Sequence, residues 1–405
     1  MTLLPDYHHF DGRHWETGTI CNALAYQGVT APHTGLPYSE ALLLGASGGV
    51  LMGYFSFAYH GHDPHVALLS RNTFAPVDTM LSRLGIVQHR RHANDAARGL
   101  RNLRSVLEEG LPALVWADAF SLPYTGLTGG DDTWANFPIL VYGHDSVRDR
   151  VWIADRAAVG VTVSQAELET ARARVKKDRF RILTIDPPDP AKLAGAARQG
   201  IEDCLAHYVT APVKNAAANF GLAAFEHWAA LLTTNAHRQS WSRIFTAGAS
   251  LYAGLTSAYD YFGIGVVAVI RDRALYADFL DEAGVILNRP SLAGAADAFR
   301  ACVPGWQALG EALLPDRIRP LGRVREILDR RRALFVERGG RSLGQRRRLN
   351  DRLAQIRSVM DDGFPLSPEG VRDLCADIAA QVRRVGGLER EAYTALRAAM
   401  TGRGR

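Results

Sequence analysis

The stretch Asp11 to Gly28, DGRHWETGTICNALAYQG, decides how the first half of the chain is read. Ile20, Leu24 and Gln27 recur at helical spacing, with Thr17 near the start of the run and Gly28 just past its end. The pattern predicts a short, largely buried helix. His14, Trp15, Glu16 and Thr17 crowd its N-terminus, where backbone N–H groups and the helix dipole hold an anion or a developing oxyanion.

Outward from this helix, Thr30 to Gly35 is a Pro/Gly loop, and Ser39-Glu40 starts a second helix that stops at Gly45. The glycines Gly48 and Gly49 lead into an apolar strand over 50–59. Residues 76–110 read as two helices around a short basic strand, with Asp95 capping the second. Residues 113–117 form a buried strand ending in Asp118, beyond which the chain emerges toward Tyr124. A carboxylate at the mouth of a buried strand is either a functional group or a turn cap. After a loop over 126–132, strands over 139–143 and 151–154 pair through a turn. Pro187, Pro188 and Pro190 mark the clearest domain boundary, and beyond them the pattern is helical, with expected helices over 193–208, 215–233, 241–262 and 272–287.

At these residues a resemblance emerges. Gly12-Arg13-His14-x-Glu16-Thr17, then Ser39 to Gly45 and Ser47-Gly48-Gly49, then Pro112 to Asp118 with Leu122-Pro123-Tyr124, then Val141 to Asp145 and Val151 to Asp155, resemble the N-terminal domain of butirosin biosynthesis protein H. From Asn219-Phe220-Gly221 onward the chain is similar to the helical domain that often follows it. The resemblance implies a papain-like fold and acyl transfer from a carrier-protein thioester to an amine. It also implies a Cys-His-Asp triad, and here the sequence departs from the pattern. Trp15 stands at the Cys position and Phe137 in the segment of the His, while Asp155 matches the Asp. Neither an indole nor a phenyl ring does triad chemistry. Cys21 lies six residues beyond Trp15, roughly 9 Å along the helix and about 240° around it, so it reads as a small core thiol.

With 405 residues, 47% hydrophobic and 22% charged, the chain has the composition of a globular protein of two or three domains. No apolar run is long enough to span a membrane and the N-terminus carries no leader pattern, so a cytoplasmic protein without membrane contact is expected. The four cysteines are far apart, which suggests neither a disulfide framework nor a zinc knuckle. His60, His62 and His65 make an H-x-H-x-x-H cluster that reads as a polar turn; no metal and no cofactor are expected. Lys+Arg exceed Asp+Glu, 47 against 42, and almost all the positive charge is arginine. An Arg-rich helical hairpin over 316–362 turns at Gly339-Gly340. Because Asp329, Glu337, Asp351 and Asp361 are mixed into or beside it, it reads as a solvated or homodimer-forming hairpin, not a nucleic-acid surface.

The expectation is therefore an α+β chain with a papain-like domain over 1–187 and a mostly helical domain over 190–405. Two functions stay open. In one, an acyl- or aminoacyl-transfer or condensation enzyme of natural-product metabolism works without a Cys nucleophile. Glu16 would be the base, with His14, Asp118 and Asp155 lining the cleft, and Trp15, Thr17, Tyr124, Phe137, Asn219 and Tyr259 contacting a small-molecule substrate, free or carrier-bound. In the other, the same cleft is a catalytically inactive binding module for a carrier-bound intermediate, a metabolite or a partner enzyme, with Trp15 filling or roofing it. The space beside Trp15 separates the two.

Overall fold

The apolar run 113–118 becomes a central strand, and a sheet grows on both sides of it. The computed structural model describes residues 1–71, 74–127, 133–177, 179–261 and 263–402, so 128–132 of the expected loop and Phe262 of the expected helix lie outside the described residues. In chain order the strands are β1 (Thr2–Leu3), β2 (Val50–Phe57), β3 (His65–Arg71), β4 (Gln88–Arg91), β5 (Ala113–Asp118), β6 (Asn136–Asp145), β7 (Arg150–Ala154), β8 (Val161–Val163) and β9 (Ile182–Ile185). Seven of them form one antiparallel sheet in the order β4-β9-β5-β6-β7-β8, with β1 added to β6, while β2 and β3 pair as a separate hairpin. Nearly everything after Leu193 is helical, and the α+β class holds.

The chain divides into two compact units. The first comprises Met1–Leu43, Val77–Leu193 and Arg330–Asn350; the second comprises Leu44–Pro76, Ala194–Asp329 and Asp351–Arg405. The chain does leave the first unit just past the proline cluster, yet two segments are exchanged relative to a single cut there. Their side-chain partners explain this. Within the second unit, Arg273 donates to the carbonyls of Ser70 and Leu51 on the hairpin, both at 3.0 Å. Within the first, Arg346 donates to the carbonyls of Tyr124 and Thr125.

In the first unit, helix α1 (Thr17–Tyr26) packs on β6, burying Thr17 through Leu24. Glycine is required where the preceding turn crosses it. A Cβ on Gly18 would sit 2.7 Å from the Arg13 nitrogen, and one on Gly12 would sit 2.2 Å from the Gly18 oxygen. Near the N-terminus, Thr2 and Leu3 pair with His144 and Gly143 of β6.

The second unit centres on a buried charge pair. Arg273, on the helix Val266–Ile286, is fully buried and meets the equally buried Glu389 of the helix Pro368–Thr401 at 2.8 Å. Trp306 Nε1 donates to the same carboxylate at 2.7 Å and the Tyr208 hydroxyl donates to its other oxygen. Every polar group of this knot is engaged, as burial of a charge demands. Two expected helices are broken here. The helix over 215–233 splits into Lys214–Asn219 and Gly221–Thr233 because Phe220 is extended and bridges to Gly53 of the hairpin. The helix over 241–262 breaks after Ile244 and restarts at Ala249, beyond Gly248 at φ 114°.

Candidate functional site

The turn before α1 is closed by a carboxylate that sequence reading treated only as part of a cap. Glu40, the first residue of helix α2 (Glu40–Ala46), accepts the Arg13 backbone N–H at 2.6 Å and the Thr17 hydroxyl at 2.7 Å. An anion at the positive end of α1 is electrostatically favourable, and here the protein supplies it. Thr17 therefore spends its hydroxyl on Glu40. His14 and Glu16 are half-buried at the same turn, where the Glu16 N–H donates to His14 Nδ1 at 3.2 Å.

Trp15 is 5% exposed. One face of its indole stacks on Phe137, with ring centroids 3.7 Å apart and planes 4° from parallel. The other face carries the Arg156 guanidinium, 3.8 Å from the ring centroid. Arg156 in turn lies 4.9 Å from the Phe335 ring, and the Arg346 guanidinium lies 5.1 Å from that ring. The result is a column, Phe137, Trp15, Arg156, Phe335, Arg346, in which rings and cations share faces. A near-coincident face-to-face ring pair is the arrangement two quadrupoles favour least; the cation over the far face of Trp15 draws on its π density and offsets that repulsion. The Thr19 hydroxyl donates to the Trp15 carbonyl, which fixes the backbone beneath the indole.

Asp155 lies beside the column. The Tyr124 hydroxyl donates to its Oδ2 at 3.2 Å, and Arg156 Nε approaches its Oδ1 at 3.3 Å. Burial together with this carboxylate pushes the Tyr124 phenol well above its ordinary pKa, so it stays a donor. Trp15, Phe137, Tyr124 and Asp155 are thus brought together.

Asp118 pairs with Asn136, next to Phe137 in the sheet, but its carboxylate is taken up by other partners. It is fully buried at the end of β5, accepts from Ser121 at 2.7 Å, from the Ala135 N–H at 2.9 Å and from the Phe120 N–H, and pairs with Arg174 at 2.9 Å. These contacts make it an anchor for the turn. Asn219 and Tyr259 belong to the second unit, where Asn219 donates to the Tyr54 carbonyl and Tyr259 to Asp329, each at 2.7 Å. The His cluster is divided, since His65 starts β3 and stacks on Tyr261 at 4.6 Å. Among the described residues no group of His, Cys, Asp and Glu is arranged to hold a metal.

All four thiols are buried. Burial is the leading cause that pushes Cys21 and Cys204 up to about 12 and Cys375 up to about 11, and it raises Cys302 as well. At neutral pH such groups hold only about one thiolate in 10⁴ or fewer.

Residues 14–156 match the family model described as butirosin biosynthesis protein H, N-terminal. Over these residues the chain is similar to that family. No curated protein matches the chain. The butirosin H-type match starts one residue before Trp15 and ends on Arg156, so it spans the Phe137-Trp15-Arg156 part of the column and Asp155, while Phe335 and Arg346 come from outside it. The family suggests biosynthetic, acyl-transfer-type chemistry in natural-product pathways. Among the described residues no helix is long and apolar enough to cross a membrane.

Sequence reading missed Arg156, Glu40, Phe335 and Arg346. Arg156 carried a signal, since it follows Asp155 at the end of the matched motif. Phe335 and Arg346 carried none, because nothing local places Phe335 against Arg156, far back in the chain, or Arg346 over Phe335.

Proposed function

We propose that the butirosin H-type domain, within the expected papain-like domain over 1–187, is a binding module of an acyl-transfer-type pathway that holds its intermediate without forming a covalent bond to it. The observation that carries this reading is the closure of Trp15 on both faces, by Phe137 at 3.7 Å and Arg156 at 3.8 Å. A nucleophile at the start of α1 needs a reacting atom within about 3–3.5 Å and free N–H groups for the oxyanion. Here an indole fills the position, and Glu40 takes the Arg13 N–H at the same turn. The buried, protonated thiols do not replace the missing group.

A second reading keeps acid–base acyl transfer, and the half-buried Glu16 at the start of α1 favours it. One experiment separates the two. The full chain is incubated with a short acyl thioester of N-acetylcysteamine while thiol release and intact mass are followed. Non-covalent binding predicts unchanged mass and background thiol release, with the thioester perturbing the near-ultraviolet signal of the tryptophans in a manner lost in Trp15→Ala. Thiol release without an adduct, abolished by Glu16→Gln, makes the chain an acid–base enzyme. A stoichiometric acyl adduct on Cys21 overturns both.

A further inference from the structure

We propose that the turn from Arg338 to Arg348 is a docking surface for an acidic helix of a partner protein. The sequence of this turn, RGGRSLGQRRR, holds five arginines and no Asp or Glu. The five have two different fates. Arg346 is 3% exposed and donates to Ser342 at 3.0 Å and to the carbonyls of Tyr124 and Thr125. Asn350 adds a bond to the Gly126 carbonyl at 3.2 Å. Gly339, at φ 51°, lies so near Val161 that a Cβ would stand 2.7 Å from its Cγ1. These contacts fix the turn to the first unit.

The other four, Arg338, Arg341, Arg347 and Arg348, are exposed, and among the described residues their side chains make no hydrogen bond, ion pair or ring contact. Some exposed arginines elsewhere meet carboxylates, as Arg300 does with Asp278 and Asp281 and Arg317 with Asp377, and others, such as Arg98 and Arg101, stand singly in solvent; this turn differs in gathering four within eleven residues. Four like charges on an anchored turn repel one another, and an acidic partner removes that repulsion. Arg341 lies in the 3-10 turn Gly339–Ser342 that leads directly into the helix Leu343–Ser358 carrying Arg347 and Arg348, so Arg341 and Arg348 are roughly two turns, about 10 Å, apart along the axis. That span matches carboxylates repeated along one face of an acidic helix, which guanidinium groups take in bidentate fashion. A nucleic acid fits less well. No large apolar side chain is exposed between 338 and 348 to stack on a base, and the charged row is short beside the 6–10 phosphates of a duplex site.

The test uses the full chain and a fluorescent alanine-based helical peptide with glutamate at every fourth position, read by anisotropy. Binding should weaken with salt. It should fall about tenfold or more in Arg341→Gln/Arg347→Gln/Arg348→Gln, a neutral variant chosen because it relieves repulsion and keeps Arg346. A control, Arg98→Gln/Arg101→Gln/Lys177→Gln, removes the same charge from exposed positions elsewhere in the first unit and should bind like the parent. Equal weakening in the control would reduce the effect to net charge and overturn the proposal. So would absence of binding by the parent, or tighter binding of a DNA duplex with the same dependence on the three arginines. Circular dichroism melting verifies that each variant is folded; if the triple variant is not, Arg348→Gln alone replaces it, with a smaller loss expected.

Discussion

Arg156 in the first unit and Arg273 in the second are both central arginines facing a carboxylate, yet their surroundings assign them opposite kinds of work. Arg273 is fully buried, and its donors are taken by Glu389, Ser70 and Leu51 within 3.0 Å. Nothing is left over for a ligand. Arg156 keeps 19% of its side chain exposed, is held mainly through its faces by Trp15 and Phe335, and approaches Asp155 at 3.3 Å. Contact through ring faces leaves the guanidinium edge with spare hydrogen-bonding capacity. A saturated arginine secures a fold, and a stacked one with an exposed edge is where a ligand can be met.

The comparison breaks first at Glu389. Glu389→Ala leaves Arg273 buried and unpaired, with Trp306 and Tyr208 losing their acceptor. It should cost about 3–5 kcal/mol, read as a fall in the urea midpoint of the transition that includes the second unit. Arg346→Ala tests whether the column is held from the Arg338–Arg348 side. It frees the Tyr124 and Thr125 carbonyls, with an expected loss of about 2 kcal/mol and faster amide exchange around 123–126 and 155–158. A stabilisation unchanged in both measurements would remove Arg346 as an anchor.

Smaller still is the stack itself. Trp15→Phe and Arg156→Lys, measured singly and together, should show a coupling of about 1 kcal/mol. Independent effects would mean that the guanidinium only lies near the indole. The smallest expected effect is a pH dependence. Burial is the main cause that lowers the pKa of His144 in the first unit and of His65 in the second. Above about pH 6.5 both are neutral in either state, and no stability is lost. As pH falls below that value the unfolded chain takes protons first, so stability drops until the folded-state pKa values are passed. His65→Phe keeps a ring against Tyr261 and should make the melting temperature fall less steeply between pH 7.5 and 5.5.

The sequence was most legible where the cause is local. The α1 helix, the Asp95 cap and the run of β5 follow from periodicity and capping over a few residues, and the structure has them with shifts of a residue or two. Trp15, Phe137 and Asp155 were named from a motif that carries their order, and the structure stacks Phe137 on Trp15 and sets Asp155 beside Tyr124. Asp118 shows the limit of such reading. A buried strand end suits a catalytic carboxylate and a turn anchor equally well, and only Ser121, Ala135 and Arg174 around it separate the two. The break at Phe220 was not legible, since the pull of Gly53 on its backbone comes from about 170 residues away in sequence. Nor was Phe335 over Arg156, for the same reason.

The exchange of segments between the units governs the order in which the chain becomes whole during synthesis. The first unit holds Met1–Leu43 but needs Arg330–Asn350 to supply Phe335 and Arg346, so its last piece leaves the ribosome only after Ala194–Asp329 of the second unit. Until then the ring of Arg156 partners is incomplete, and Tyr124 and Thr125 keep open carbonyls. The second unit waits longer, since Glu389, which neutralises Arg273, follows Arg346 in the chain. A nascent chain halted before residue 346 therefore carries a half-built site, and one halted between residues 273 and 389 carries an unneutralised interior cation. Such long-range closure slows folding and gives chaperones a defined interval in which to act.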